Sequence, residues 1–529
     1  MVLGAIALGF TWSSSEEIFA NIRLFDRIAL LVDQNYVENI DHARLVKAGI
    51  DGMLEKLDKY TKYLEGADFL QLQQATDGKI EGIGVYLEYH HDTLTVTSAL
   101  EGTPGYKAGI QPGDKILKID SSATTGMKIK DIRMLLKGKK GSPVKLLIER
   151  PGEGSFTVTA YRDEVEIESI PYCDLVSPEI GYIRLARFSE KCGLDLRKNI
   201  INLRKKGMKS LILDLRDNPG GLLSEAIEVA SLFLPENSII VETKGRDGAL
   251  IASYAASGGP VFAEGDLAII IDSQTASAAE IVAGAIQDHD RGVIIGGSSY
   301  GKGLVQQILM VGNESALKIT TSRYHLPSGR CLQIPDWSTF ELTVNGGKYY
   351  DTDSLYMTES GRPVFGGGGI TPDIYVDEED ESEYVEALRR EACFFDFATA
   401  YIRKNDVQPG FKIDDKIIAE FKEYIRDRDF RFEEQDRAAY NNLKNSVTFH
   451  DPESEKSLAV LDSRLRSREQ SNFDSNYREV GEAIEEEVLL QKFGEKTLYQ
   501  KWISEQPRIA AAIGILSSAQ KYSSIFAQR

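Results

Sequence analysis

An α/β multidomain fold is what this sequence predicts, on three observations. Residues 267–307 run in the order apolar pentapeptide, small-residue turn, helical apolar face, second apolar run and glycine loop. That is a strand–helix–strand unit from a sheet covered on both faces. Residues 79–162 carry short alternating segments punctuated by Gly and Pro, the pattern of a small β-rich module. Beyond residue 378, apolar residues recur at helical spacing between dense charges. A chain of 529 residues holds about three or four domains. The composition shifts divide it into an N-terminal helical segment (1–75), the β-module (76–163), an α/β core (164–378) and a helical C-terminal extension (379–529).

In chain order, residues 1–12 are apolar but too short to span a bilayer, with no Lys or Arg before them. Two readings stand: the remnant of an export signal, or a segment docking on the body. Residues 16–64 then read as strongly helical.

In the β-module, Gly82-Ile83-Gly84-Val85 opens the strand set, which continues at 93–98, 144–149 and 157–161. Residues 127–136 read as its helix. Successive amides in a Gly-rich loop can capture a carboxylate, and an open sheet edge can accept a peptide as an added strand. A β-domain that only spaces or docks is the alternative.

Two segments of the core carry chemistry. Ser277 sits at or just before the start of a helix traced by Ala278, Ile281, Val282, Ala285 and Ile286. Unpaired amides and the helix dipole there favour a developing oxyanion. Lys302, 25 positions on, lies in Tyr300-Gly301-Lys302-Gly303, flanked by Leu304 and Val305. A serine hydroxyl needs a base, and a lysine serves only when neutral. Lowering its pKa from about 10.4 towards 7 requires roughly 4–5 kcal/mol of desolvation. Upstream, a strand at 210–215 runs into Asp217-Asn218-Pro219-Gly220-Gly221, a breaker whose glycine pair lets bare amides face a cleft. Taken singly, a capping serine, a surface lysine and an ordinary βα turn are the plainer readings; their conjunction points to a Ser–Lys nucleophilic pair.

A Ser–His–Asp triad is the competitor. His289 belongs at the far end of the helix that starts at Ser277, roughly 16 Å away, out of hydrogen-bond reach. His325 is left open by the sequence. No Gly-x-Ser-x-Gly elbow surrounds Ser277, and Glu280 occupies the position of the lysine in a Ser-x-x-Lys motif. No metal-ligand spacing occurs and no cofactor is called for. Asp288 reads as a structural acid at a helix end.

These motifs resemble the C-terminal processing (tail-specific) serine peptidases. Thr275-Ala276-Ser277-Ala278-Ala279-Glu280 is similar to the family's nucleophile motif, and the Tyr-Gly-Lys-Gly loop to its lysine loop. Residues 213–223 match its strand–glycine turn and 366–373 the block closing its core; the likeness spans roughly residues 20–378. Residues 79–162 resemble a PDZ domain, with Gly82, Ile83, Gly84 and Val85 at the carboxylate-binding loop. Lys59-Tyr60-Thr61 departs from the family's Pro-His-Ser or Pro-His-Thr. The resemblance implies a crotonase-like α/β protease core interrupted by the PDZ-like module. It implies endoproteolysis of polypeptides with free C-terminal tails through an acyl-enzyme on Ser277. Lys302 would be general base and then acid, and Gln306 would orient its amine. Amides of Ala278 and of Gly220 or Gly221 would hold the oxyanion. It also implies export, to a bacterial envelope or periplasm. A catalytically silent, peptide-binding scaffold of the same fold is the main rival; a non-peptidase serine hydrolase is a third reading.

After an acidic hinge at 377–383, Ile413, Ile417, Ile418, Phe421, Tyr424 and Ile425 make one helical stripe, and Phe394, Phe395, Phe397, Ala398, Tyr401 and Ile402 a broader one. Phe430, Phe432 and Phe449 interrupt charged segments, and 453–487 reads as a solvated helix pair. This region is a candidate for adaptor binding or self-association, with simple packing as the alternative. Residues 336–358 are an unassigned insertion. A net charge of −19 excludes a nucleic-acid partner in the absence of a basic stripe. Four scattered cysteines form neither a disulfide framework nor a metal site, and a single bridge stays open.

Overall fold

A computed structural model describes residues 3–334, 354–377, 381–432, 435–446 and 452–527. Most of the 336–358 insertion, part of the acidic hinge, and Phe449 lie outside the described residues. The chain divides into two compact units, the first formed by Met1–Gly66 and Gln306–Thr321 and the second by most of the remainder.

In the first unit, the helices Leu3–Asn35 and His42–Glu55 precede a strand, Lys62–Glu65, paired antiparallel with residues 315–318. The expectation of helix through residue 64 is corrected here. Asp58 Oδ1 accepts from the amides of Tyr60 and Thr61, both at 2.8 Å, a side-chain turn that turns the backbone out of the helix. No helix among the described residues is long and apolar enough to cross a membrane.

The second unit is built on a six-stranded sheet in the order Tyr172–Ser177, Ile180–Arg184, Ser210–Asp214, Leu267–Ile271, Val293–Gly296, Ile374–Tyr375. All neighbours are parallel except the first pair. Strand alternation sorts the apolar residues between two cores. Leu267, Ile269 and Ile271 face the helices Cys192–Lys205, Leu223–Ser231 and Ala278–Asp288. Ala268 and Ile270 face the C-terminal helix Pro507–Leu516, through Ile509, Ala512 and Leu516. The extension therefore supplies the second face of the core sheet.

Residues 85–161 form a sheet in the order Val85–His90, Thr93–Ala99, Lys115–Ile119, Pro143–Arg150, Gly154–Tyr161, with helix Ile129–Leu136 packed on it through Ile132 and Leu136. That helix starts two residues later than expected. Lys79–Gly82 is not part of this sheet; it pairs with Asp163–Glu166 in a two-stranded ribbon that joins module to core.

The Ile417–Ile425 and Phe394–Ala398 stripes meet in one helical core. Residues 453–487 are only partly the solvated pair expected. Val480, Ala483, Ile484 and Val488, on the helix Tyr477–Phe493, lie inside that core, because its apolar face alternates with glutamates at helical spacing and the charge count masks it. Phe430 and Phe432 likewise pack against the core, edge-on to Tyr384.

Candidate active site

The strand Leu267–Ile271 delivers the chain to Ser277, the residue before the helix Ala278–Asp288. Ser277 is buried, and its φ of 57° lies where L-residues rarely settle. Several neighbours hold it there. The Ala276 amide donates to Asn218 O at 2.9 Å. Thr275 Oγ1 donates to Leu215 O at 2.9 Å. The Ser277 amide donates to Glu280 Oε2 at 2.7 Å. The side chain of residue 277 is thereby fixed at the positive end of a helix whose residues, from Ala278 to Asp288, are all buried.

The lysine loop reaches the same carboxylate. Lys302 donates its amide to Glu280 Oε2 at 2.9 Å, while Gly301 amide and Ser299 Oγ donate to Oε1 at 2.7 and 2.6 Å. Glu280 is buried. Burial pushes its pKa up, and the four donated hydrogen bonds work against that shift. One carboxylate thus joins the Ser277 turn to the lysine loop. In the sequence Glu280 closes the Thr275–Glu280 motif and rules out a Ser-x-x-Lys motif, but its own role is legible only in the S-x-x-E spacing of a capping box. Gly303 continues the loop, donating to Gln333 Oε1 at 3.0 Å, and Lys302 itself is half-buried.

The glycine turn abuts the serine. Gly220 has φ 92°, and a Cβ there would meet Ala276 O at 2.7 Å and the Ala278 amide at 2.9 Å, so only glycine permits this approach. Its own amide is committed to Asn218 Oδ1 at 2.9 Å. The Gly221 amide, by contrast, donates to neither main chain nor side chain among the described residues, and the same holds for Ala278. Behind the turn, Asp214 is fully buried between Arg184 at 2.9 Å and Arg216 at 2.6 Å, with Tyr182 donating to it at 2.6 Å. Burial pushes its carboxyl up, but the two guanidiniums outweigh that and hold it well below the ordinary range.

Gln306 lies on the strand Leu304–Gly312, four residues after Lys302, and its Nε2 is buried with no hydrogen-bond partner among the described residues. His289 caps the far end of the serine's helix, bonded to Glu359 and to Ile239 O. His325 is bonded to Gly329 O. Asp288 ends the same helix, accepts from the Ser328 amide at 2.9 Å and pairs with the fully buried Arg330 at 2.8 Å. All four cysteines are free. In the β-module, Gly82 belongs to the ribbon, opposite Asp163, while Ile83 and Gly84 lie between strands and Val85 begins the outermost one. The carbonyls of Ile83 and Gly84 accept from Gly105 and Leu100, and neither residue's amide donates to a main-chain carbonyl among the described residues.

Residues 179–339 match Peptidase family S41, residues 95–150 a PDZ domain, and residues 384–516 the C-terminal helical domain of probable PDZ-proteases. The chain is 34% identical over 333 residues to the carboxy-terminal-processing protease of Bartonella bacilliformis, covering 62% of this chain and 76% of that one. It is 30% identical over 349 residues to the carboxy-terminal processing protease CtpA of Bacillus subtilis, covering 63% and 73%. Among solved structures, the photosystem II D1 C-terminal processing protease is 25% identical, with 69% and 96% covered and a TM-score of 0.38. The family models and the two curated relatives define a serine-type peptidase that carries a PDZ domain and acts on peptide substrates. The chain belongs to the family of carboxy-terminal processing proteases, within Peptidase family S41.

Proposed function

We propose that this chain is an endopeptidase that cuts protein substrates near their C-termini through a Ser277–Lys302 dyad. Lys302, neutral at the working pH, takes the Ser277 proton as the hydroxyl attacks the scissile carbonyl, and returns it to the leaving amine. Water then hydrolyses the acyl-enzyme with the lysine again as base. Amides of Ala278 and Gly221 receive the oxyanion, Gly220 being engaged with Asn218. Gln306 orients the lysine amine. The observation that carries this reading is the shared Glu280 oxygen, which ties both backbones to one point. A scaffold that only bound peptide would gain nothing from a serine held at an unfavourable φ beside a lysine loop.

The PDZ module selects or gates the tail. Its Ile83-Gly84-Val85 turn offers amides to a terminal carboxylate, and its outermost strand offers an edge to the peptide. Work outside the cytoplasm, in a bacterial envelope, belongs to this reading as well.

Incubation with a disordered protein, with free or amidated C-terminus, followed by mass analysis of the fragments, tests both halves. Cleavage that disappears in Ser277→Ala, and is severalfold faster on the free tail, is expected. Charge-assisted hydrogen bonds contribute about 1.5–3 kcal/mol each before competing losses, enough for such a preference. Fragments undiminished in Ser277→Ala would overturn the dyad; equal cleavage of both tails would overturn tail recognition.

A further inference from the structure

Lys302 stands between two glycines whose main-chain polar groups are all taken. Gly301 donates to Glu280 Oε1 at 2.7 Å and accepts from the Ile334 amide at 3.1 Å. Gly303 accepts from the Tyr324 amide at 2.8 Å and donates to Gln333 Oε1 at 3.0 Å. Gln333 and Ile334, neighbours in the chain, therefore hold one glycine each, with the lysine between. The packing is equally close. A Cβ on Gly301 would lie 2.5 Å from Ile334 Cγ1, and one on Gly303 would lie 2.7 Å from the main-chain nitrogen of Gln333.

Gln333 is buried, and its amide is used at both ends. Oε1 accepts from Gly303, while Nε2 donates to Ile334 O at 2.6 Å. A carboxylate of the same length lacks the donor, a thioether lacks both groups, and asparagine is one methylene too short. The run that carries Gln333 is itself anchored at the far end of the serine's helix. Just upstream, the fully buried Arg330 pairs with Asp288 at 2.8 Å and donates to Gln287 Oε1 at 2.7 Å. The carbonyls of Cys331 and Leu332 then accept from Gly367 and Gly369 at 2.7 and 3.2 Å. The helix Ala278–Asp288 thus holds the lysine loop twice, from its start through Glu280 and from its end through Arg330 and the run to Gln333.

We propose that Gln333 is a positioning residue for the Ser277–Lys302 reaction: by holding Gly303 it fixes the lysine loop and keeps water from the amine. This role rests on the dyad reading given under the proposed function. Without the Gln333 amide, the buried Gly303 donor has no protein partner and is satisfied by water entering the loop. Water beside the amine favours its charged form, and only the neutral form is a base. The sign follows. A loosened loop moves the rising limb of kcat against pH towards the value of an ordinary lysine, about 10.4. A mere loss of folded protein lowers the whole profile and leaves the limb where it was.

The test is kcat and KM of the full chain on a long disordered peptide, from about pH 6 to pH 10. Gln333→Met keeps the length of the side chain and removes both hydrogen bonds. Its limb is expected about one unit higher than that of the wild type, with kcat at pH 7 down about tenfold and KM little changed. Gly303→Ala presses a methyl group on the Gln333 main chain and should move the limb in the same direction. The double variant should shift no further than the larger single shift, because both act on one contact. Ile509→Ala, which weakens the core from the other face of the sheet, should leave the limb in place. A limb unmoved in a folded Gln333→Met or Gly303→Ala enzyme would overturn the positioning role, as would an equal shift in Ile509→Ala. Circular dichroism reports folding; if Gln333→Met does not fold, Gly303→Ala alone decides. Full turnover in Ser277→Ala or Lys302→Ala would overturn the dyad and this role with it, whereas inactivity of both beside an unmoved limb in Gln333→Met would overturn this role alone.

Discussion

Ser277 and Lys302 donate their backbone amides to one and the same oxygen, Oε2 of Glu280, at 2.7 and 2.9 Å. A buried acid therefore sets the separation of two residues that lie 25 positions apart in the chain. Its carboxylate is turned wholly to main-chain donors and the Ser299 hydroxyl, so it acts as a positioning residue.

Glu280→Gln is nearly isosteric but turns an NH2 group towards donors that expect an acceptor. Each buried donor left unsatisfied costs about 1–3 kcal/mol. The expected outcome is a fall in kcat of about tenfold to a hundredfold with KM for a long peptide little changed, in a protein that still folds. Steady-state kinetics with circular dichroism check it; a KM effect with unaltered kcat would mean that Glu280 shapes binding instead.

Ser277→Ala and Lys302→Ala should each lower kcat by roughly a thousandfold or more, because the two act as one unit. Lys302→Arg should fail to the same degree, since a guanidinium does not give up its proton near neutral pH. A folded Lys302→Ala enzyme with full turnover would remove the lysine from the mechanism.

Asp214 dictates an acid limb of stability. Its folded carboxyl is depressed because Arg216 and Arg184 outweigh burial, so its stabilisation is present above the unfolded value of about 3.9 and is lost as pH falls through the native one. Asp214→Asn should flatten the dependence of denaturant midpoint on pH below about pH 4, and Asp214→Ala should cost about 3–5 kcal/mol by removing the buried carboxylate that Arg184 and Arg216 share. Urea melts across pH measure both; an unchanged acid limb in Asp214→Asn assigns it to other carboxylates.

Ile509→Ala should lower core stability by about 2–5 kcal/mol, although residue 509 lies far along the chain from the protease sheet. Deletion of residues 507–527 should uncover Ile212, Ala268, Ile270 and Ile295 and yield an aggregating core. Thermal melts and size-exclusion chromatography test it. A soluble, stable truncated core would show that its second face is covered in another way.

The sequence by itself determined the strand–turn–helix around Ser277, the glycine turn at Gly220, the lysine loop, the β-module with its helix and the two main helical stripes. Each of these is local: period-2 or helical spacing and Gly-Pro punctuation act over a dozen residues or fewer. Three things were left to the tertiary structure. The all-apolar run at 267–271 says that both faces of the strand are covered, but only long-range packing assigns the second face to Ile509, Ala512 and Leu516. The helix around Val480–Val488 reads as solvated because its glutamates dominate the count, whereas burial depends on which face meets Phe421 and Ile417. The meeting of Ser277 and Lys302 at Glu280 joins residues remote in sequence. A chain's periodicities fix what each segment is, while the contact that completes a site is made only when separate segments are folded against each other.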